Sequence, residues 1–406
     1  VRQDLLFQAQ QFIAEDVPNV YWAHPSTPQL VRTDIWDIDT VVTQAGIGIQ
    51  NYWTWTQLAP LGDQKSIITS TTSILEAFNP LYIAGDAPSR VTELIWDRLM
   101  RIGPDGLPQP WAAESVEWES GTSVVITIRD GMLWHDGEPV TSADVAYSFE
   151  SIQTGEAPMY EPFASGVSDV EIVDGLTVRL TLGAPSAAFE TSTLSKLNII
   201  PKHVWESIID DLLTQDDANA EDIQEEIPIG SGPYKMVAFD VNEFVILEAN
   251  TDHFAPPVAE RWIMNVLPNA EATLGQIGTG EINFLWEWRG DSQILAEIAE
   301  ADPNTAMFSS PSLGMQYFAF NLRYAPFDDV AFRRAVAHVV PSQSIIDNIF
   351  KGFAVPADSY VSTPIEFWHN PDLPQYEFSI ETARAVLEEA GYTWDDDGNL
   401  LYPDGE

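Results

Sequence analysis

The spacing of apolar residues alternates between a helical and a strand period along the chain, which predicts a mixed α/β fold. Helices are predicted where apolar residues recur every three or four positions, and the first of them ends at Val17-Pro18. Strands are predicted where short apolar runs stand between turn residues. The predicted helices carry Leu5, Ala9, Phe12 and Ile13; Val91, Leu94 and Leu99 after a Ser89 cap; Val145, Phe149 and Ile152; Phe332, Ala335 and Val339; and Val386 and Leu387. The predicted strands cover 20–23, 67–68, 237–247 and 315–320.

Residues 115–182 differ from the rest of the chain because strand patterns dominate them. Two hairpins are predicted, over 116–128 and 170–182, and Asp174-Gly175 in the second favours a type I′ turn. Between the hairpins, Thr141 and Asp144 have the spacing of a capping box and predict a helix start. An acidic stretch at 214–226 is predicted to be a solvated loop or helix.

The charge balance narrows the possible partners. The 406 residues include 62 acidic and 18 basic ones, for a formal net charge of −44. Binding to nucleic acid through a basic surface is therefore excluded in practice. In about 1 M salt the Debye length falls to about 3 Å, so the self-repulsion of such a chain is screened. The composition predicts a halophilic protein with an acidic surface; an ordinary acidic secreted protein is the alternative.

Signatures of catalysis or metal binding are few. There is no cysteine, and the six histidines lack the paired spacing of a zinc site. The chain has neither a nucleophile elbow nor a phosphate-binding loop, and Gly230-Ser-Gly232 is interpreted as a turn that enters a strand. His135, between Trp134 and Asp136-Gly137, is interpreted as part of a tight turn rather than as a catalytic or metal-binding residue. Trp286 and Trp288 would share one face of a strand, where they could stack on a ligand or simply be core.

Several motifs together resemble the family 5 extracellular solute-binding proteins, the peptide-binding components of ABC importers. The motif segments are Trp134-His-Asp-Gly-Glu-Pro139-Val-Thr-Ser-Ala-Asp144, Ile229-Gly-Ser-Gly-Pro-Tyr-Lys235, Tyr317-Phe-Ala-Phe-Asn321 and Ala383-Arg-Ala-Val-Leu-Glu-Glu-Ala-Gly391-Tyr. The resemblance covers about 65–402 in the family's order. Residues 1–62, in contrast, resemble the end of this family, so the tail of one copy precedes the head of another. A tandem fusion, a joined record or a permutation would explain this order.

The resemblance implies a two-lobed, type II periplasmic-binding-protein-like α/β fold with a hinge. Residues 1–62 would be the C-terminal tail of a preceding or permuted copy. Residues 63–265 would form lobe 1, with a β-rich insert at about 86–205. Residues 266–406 would begin lobe 2, which is expected to be incomplete.

The implied function is to capture peptides in the cleft between the lobes and deliver them to a membrane permease, without catalysis. The resemblance places Tyr82, Asp86, Trp286, Glu287, Trp288 and Tyr317 at that cleft. Asp86 or Glu287 would pair with a ligand ammonium group, and the aromatic residues would stack on the ligand. No cofactor or metal is expected.

Other expectations concern the class of ligand and the location of the protein. An oligosaccharide-binding member of the same family is one alternative, and a secreted hydrolase or a sensory receptor domain is another. The protein is expected to be a monomer at the extracellular face of the cytoplasmic membrane, in a haloarchaeal organism. A lipid anchor or secretion would hold it there.

Overall fold

The computed structural model describes residues 1–82, 85–155, 157–214, 223 and 228–403. The predicted acidic stretch at 214–226 lies almost entirely outside the described residues. The helices are α1 (Arg2–Asp16), α2 (Tyr52–Gln57), α3 (Asp86–Ile95), α4 (Ser142–Thr154), α5 (Glu161–Ala164), α6 (Lys202–Leu212), α7 (Ala270–Thr279), α8 (Ser292–Ala301), α9 (Val330–Ala337), α10 (Ser342–Asn348) and α11 (Ile380–Glu389). The strands are β1 (Asn19–Arg32), β2 (Trp36–Asp37), β3 (Ala59–Pro60), β4 (Ser66–Thr71), β5 (Met100–Ile102), β6 (Pro108–Pro110), β7 (Ala113–Ser120), β8 (Ser123–Ile128), β9 (Val167–Ile172), β10 (Thr177–Leu182), β11 (Tyr234–Asp240), β12 (Phe244–Ala249), β13 (Arg261–Val266), β14 (Phe284–Leu285), β15 (Thr305–Pro311), β16 (Gln316–Ala319), β17 (Ala354–Val355), β18 (Thr393–Trp394) and β19 (Leu400–Leu401).

A mixed sheet of order β11-β12-β13-β4 forms one wall of the first lobe, with β4 and β13 parallel. Beside β4, the Asn283 backbone N–H donates to the Ile68 carbonyl at 3.0 Å, and its side chain accepts from the Ile68 N–H at 2.9 Å. These bonds place β14 next to β4, and β1 pairs in turn with β14 and β15. The strands therefore form a continuous surface whose core includes Trp55, Trp262 and Trp286.

The predicted β-rich subdomain has a sheet and a core of its own. Its strands follow the order β7-β8-β10-β9, and its core runs from Leu99 to Leu212, with Leu81 added. The Thr141–Asp144 capping box is present, because each residue's side chain bonds the other's backbone N–H. The second hairpin forms as predicted, but its turn is not type I′, since neither Asp174 nor Gly175 has a positive φ.

The second lobe is built on the first half of β1. Residues 19–25 of that strand pair with β16 and β17, while residues 26–32 belong to the first lobe. We define lobe 1 as residues 26–311 and lobe 2 as residues 1–25 and 312–403. Helices α9 and α11 pack together in lobe 2, where Ala335, Leu387 and Tyr392 share a small core.

The structure divides the chain differently from the sequence interpretation. Residues 266–311, predicted to begin lobe 2, lie in lobe 1, because β14 and β15 pair with β1 there. The segment 1–62 contacts both lobes: β1 runs through them, and the residues of α2 up to Thr56 are buried in the core of lobe 1. Arg333 of α9 is 3% exposed and donates to the carbonyls of Asp16 and Val17 at 3.0 and 3.1 Å, which fixes the end of α1 on lobe 2.

The predicted first helix exists, but it buries a different face. Leu5 and Phe12 are exposed, whereas Gln10 is buried and donates to the Trp368 carbonyl at 2.8 Å. The side-chain oxygen of Gln10 accepts from the Ser359 hydroxyl at 3.0 Å. Tertiary hydrogen bonds therefore set the orientation of α1, and the apolar period does not.

Gly230 and Gly232 let the loop before β11 approach the end of α3 closely. A Cβ atom at Gly230 would lie 1.9 Å from the Ile95 carbonyl oxygen, and one at Gly232 would lie 2.5 Å from the Leu94 oxygen. The loop enters a strand, as the sequence predicted. Glycine is required here because the chain has no room for a side chain.

His135 holds this glycine loop rather than a metal or a substrate. Its Nε2 donates to the Gly232 carbonyl at 3.0 Å, and its Nδ1 accepts from the Gly230 N–H at 3.2 Å. The structural interpretation of His135 is thus favoured, although its partners lie 95 and 97 residues away and not within the local turn. The bond from Gly230 requires the neutral imidazole, because a protonated Nδ1 could not accept.

We expect acid to destabilise the protein through His135. Burial lowers the pKa of His135 to about 4, below the 6.5 of a free histidine. The contribution of neutral His135 to the stability of the fold is complete above pH 6.5 and is lost as the pH falls towards 4. Between pH 7 and pH 5 this residue removes about 2 kcal/mol from the free energy of unfolding. The free energy of unfolding, measured with denaturant across that range, should therefore fall less steeply with decreasing pH for His135→Gln than for the wild type. Equal slopes would contradict a buried, neutral His135.

Candidate functional site

The chain crosses between the lobes twice, and the two crossings lie side by side. One crossing is within β1 at residues 25–26, and the other is the link 312–315 between β15 and β16. The Ser312 N–H donates to the Pro25 carbonyl at 2.8 Å, which ties the crossings together. Two adjacent crossover strands between compact lobes are the arrangement of a hinge.

The edge of lobe 1 at this hinge is formed by the carboxyl ends of β4, β13, β14 and β15. In open α/β sheets, ligands bind in the crevice outside the carboxyl ends of strands. Two cavities in the described part of lobe 1 that are large enough for a small ligand lie near this edge.

We name the first of these the α3 cavity; its volume is about 400 Å³. Its walls come from the loop before α2 and the first turn of that helix, from α3 and from the β-rich subdomain. The loop brings the cavity next to the hinge, because Gly46 forms a β-bridge with Ser312. The charged residues that line it are Asp86, Arg90, Glu93, Arg98, Arg101 and Lys196.

The second, the α7 cavity, has a volume of about 370 Å³ and lies between the end of β4 and the start of α7. Glu287 lines it with most of its side chain buried. The Thr71 hydroxyl donates to one oxygen of this carboxylate at 3.1 Å, and Arg289 donates to the other. The charge of Glu287 is therefore already compensated by its neighbours.

A third cavity, of about 420 Å³, is lined by lobe 2 residues alone, among them Val17, Tyr21 and Tyr376. Neither hinge crossing, at 25–26 or at 312–315, contributes a lining residue to it. It does not lie at the carboxyl edge of lobe 1, so we do not assign it to the cleft.

The structure places the two predicted tryptophans in the core. Trp286 is 2% exposed and donates to the Ser70 carbonyl at 2.8 Å, and Trp288 is 7% exposed. They do not share a strand face, since β14 ends at Leu285 and the rings pack in different clusters. Trp288 nevertheless lines the α7 cavity together with Glu287, whereas stacking of the Trp286 ring on a ligand would first require it to leave the core.

The other predicted residues lie at different places. Asp86 is exposed in the first turn of α3 and lines the α3 cavity. Tyr82 is half-buried at a bridge with Asn79. Tyr317 is exposed on β16 in lobe 2, with its ring 5.9 Å from that of Tyr21. Asp86 and Glu287 thus line two separate cavities on lobe 1, and Tyr317 belongs to the opposite lobe.

Sequence reasoning missed the basic residues of the α3 cavity. Arg90, Arg98 and Arg101 are near one another in the sequence, but Lys196 reaches the same cavity from the subdomain. The available signal was scarcity: basic residues are few in this chain, and three of them occur within 90–101.

Contacts on both sides of the hinge link the lobes. Lys351 of lobe 2 forms an ion pair with Asp291 of lobe 1 at 2.7 Å. Arg2 of α1 donates to the Ala187 carbonyl of the subdomain, and its guanidinium lies over the Trp368 ring. These two contacts join lobe 2 to lobe 1 and to its β-rich subdomain away from the two crossings.

Among the described residues, no group of three or more acidic or histidine side chains is arranged to hold a metal ion. Over the same part of the chain, every helix is too short or too polar to cross a bilayer.

Comparison with known proteins agrees with this architecture. A model of the bacterial extracellular solute-binding proteins, family 5 Middle, matches residues 108–405. The oligopeptide-binding protein AppA of Bacillus subtilis is 26% identical over 339 residues, which are 81% of this chain and 60% of AppA. The chain thus spans less than two thirds of the length of that relative.

Solved structures show the same fold. The ABC transporter substrate-binding protein CtaP of Listeria monocytogenes has a TM-score of 0.65 at 25% identity, over 82% of this chain and 66% of CtaP. NikZ of Campylobacter jejuni, solved with Ni(L-His), has a TM-score of 0.60 at 24% identity, over 85% of this chain and 66% of NikZ. With a family model matching most of its length, the chain belongs to the family 5 extracellular solute-binding proteins.

Proposed function

We propose that the protein captures peptides between its lobes, outside the cytoplasmic membrane, and delivers them to the permease of an ABC importer. The observation that carries the proposal is the hinge, with two adjacent crossings and ligand-sized cavities at the carboxyl edge of lobe 1. The similarity to an oligopeptide-binding protein supports peptides as the ligand class. We further propose that the protein works as a monomer, held by a lipid anchor or secreted, in concentrated salt.

Asp86 is the best candidate for the ammonium group of a peptide. It is exposed at the α3 cavity, and no hydrogen bond or ion pair to its carboxylate is found among the described residues. Glu287, in contrast, is already bonded to Thr71 and Arg289. A ligand ammonium would have to displace Arg289 from Glu287 but could reach Asp86 directly.

We propose that no catalysis accompanies binding. The arrangement most like a hydrolytic triad is Asp97, His253 and Ser231, which are all buried. The Ser231 hydroxyl donates to Asp97 at 3.1 Å, and His253 bonds the same carboxylate. Because the hydroxyl points to the acid and not to the imidazole, the set lacks an activated nucleophile. This argues against the secreted hydrolase.

The test is thermal unfolding in about 1 M KCl with pools of short peptides and, separately, of oligosaccharides. A ligand that binds only the folded protein adds about 2.7 kcal/mol of stability at 100 times its Kd. We expect peptides to raise the melting temperature and to be recovered unchanged. Asp86→Asn should weaken peptide binding about tenfold, since a charge-assisted hydrogen bond is lost.

The matched control is Asp169→Asn, which makes the same charge change on the exposed face of β9. Its peptide affinity should equal that of the wild type. Stabilisation by oligosaccharides alone would replace the peptide proposal with the sugar-binding alternative. A cooperative melt that no pool shifts would overturn ligand capture by this chain, and cleaved peptides would overturn the absence of catalysis.

A further inference from the structure

We propose that the α3 cavity is a carboxylate subsite, formed by Arg90, Arg98, Arg101 and Lys196, which selects peptides for their acidic groups. The inference rests on the proposed function, because it names the ligand class that the cleft would prefer. It concerns a cavity whose basic residues no motif of the sequence indicated.

The charge of the cavity is opposite to that of the chain. Acidic residues outnumber basic ones by 62 to 18 overall, yet four basic residues line this one cavity against two carboxylates. The cavity therefore gathers four of the 18 cations of the protein. In a chain that carries so much negative charge, a wall of this kind would be the preferred place for an anionic ligand group.

Two of the four cations have no acidic partner in the described part of the protein. Arg98 donates to the Asn198 side-chain oxygen and to the Ser195 carbonyl, each at 3.2 Å, and both acceptors are neutral. Lys196 is a partly exposed residue of the subdomain, and no carboxylate lies within ion-pair distance of its ammonium among the described residues. Their positive charge thus remains available to a ligand.

The other two cations are only partly compensated. Arg90 lies 3.4 Å from Glu93, and its buried Nε has no hydrogen-bond partner among the described atoms. Arg101 is buried over the Tyr52 ring; its Nη2 donates to the carbonyls of Glu93 and Trp96 and lies 3.7 Å from the Asp97 carboxylate, but its Nε has no partner among the described atoms. Carboxylate is the ligand that matches guanidinium donors in geometry and in charge.

Mutual repulsion within the cluster is consistent with an excess of positive charge. Burial, followed by the charge of Arg101, lowers the pKa of Arg98. Partial burial and the charge of Arg98 likewise lower the pKa of Lys196. A bound carboxylate would relieve both effects, since an opposite charge nearby favours the protonated form.

The experiment is calorimetric titration of the full chain in about 1 M KCl, where long-range repulsion is screened and short contacts remain. The probes are Ala-Asp-Ala and Ala-Ala-Ala, each with a free and with an amidated C-terminus, so that side-chain and terminal carboxylates are separated. We expect the wild type to bind a peptide with a side-chain or terminal carboxylate about tenfold more tightly than amidated Ala-Ala-Ala, which has neither. The double variant Arg90→Gln/Lys196→Gln should lose that preference while still binding amidated Ala-Ala-Ala, which has no carboxylate.

The control is Lys202→Gln, which removes a cation paired with Glu206 on α6 and outside the cavity. It should keep the wild-type preference. Peptides that bind equally with and without carboxylates, or a preference that survives the double variant, would overturn the subsite and leave peptide capture intact. A failure of all four peptides to bind would overturn the proposed function itself, and the subsite with it.

Discussion

A chain that lacks residues 1–62 should lose cooperative unfolding altogether. This segment contains β1, which pairs with β14, β15, β16 and β17 and is shared by both lobes. It also contains α2, whose aromatic residues lie in the core of lobe 1. The loss should equal the whole free energy of unfolding, about 5–15 kcal/mol for an ordinary domain. Calorimetry of the shortened and the full chain in the same salt measures it.

Point variants test the structural role of residues 1–62 without shortening the chain. Leu30 in β1 is 2% exposed, and Leu5 in α1 is 60% exposed. Leu30→Asp should cost at least the roughly 2–5 kcal/mol of a lost buried leucine, and Leu5→Asp should change stability little. We propose on this basis that residues 1–62 complete the lobes that follow them, as in a permuted chain. A truncated chain that melts cooperatively at the wild-type temperature would refute this.

Replacing Asp97 with alanine should cost about 3–5 kcal/mol, because buried cations and donors would lose their shared acceptor. Asp97 is fully buried and accepts from the Trp111 indole at 3.0 Å and from Ser231 at 3.1 Å. Burial alone would raise the pKa of Asp97, but His253 and then Arg101 outweigh that effect and hold the pKa below its usual value. The carboxylate is therefore charged at neutral pH. Chemical denaturation of Asp97→Ala and the wild type measures the loss.

Two further variants make this result specific. Asp169→Ala removes the same charge from an exposed site on β9 and should stay within about 0.5 kcal/mol of the wild type. Asp97→Asn keeps an acceptor for Trp111 and Ser231, so its free energy of unfolding should lie between those of Asp97→Ala and Asp169→Ala. If Asp97→Ala were as stable as Asp169→Ala, the network would contribute nothing to the fold.

The sequence by itself determined most of the local elements. The Thr141 capping box, the two hairpins, β4 and α11 formed as predicted, because short-range hydrogen bonds and apolar periodicity decide each of them. The family motifs indicated the fold, and the family match confirms it. The tight turn at His135 also forms, but its ring bonds Gly230 and Gly232 and not the local turn, so that part of the sequence interpretation was wrong.

Only the tertiary structure decided where these elements lie and which groups meet. The face that α1 buries depends on hydrogen bonds from Gln10 to residues more than 300 positions away, which no period encodes. Trp286 and Trp288 are two positions apart, which predicts that they share a strand face. They pack in separate clusters because the strand ends before them. Lys196 and Arg90 face one cavity only because the subdomain folds back over α3. Local pattern fixes the period of an element, but contacts between distant segments, which depend on the whole packed chain, create the site.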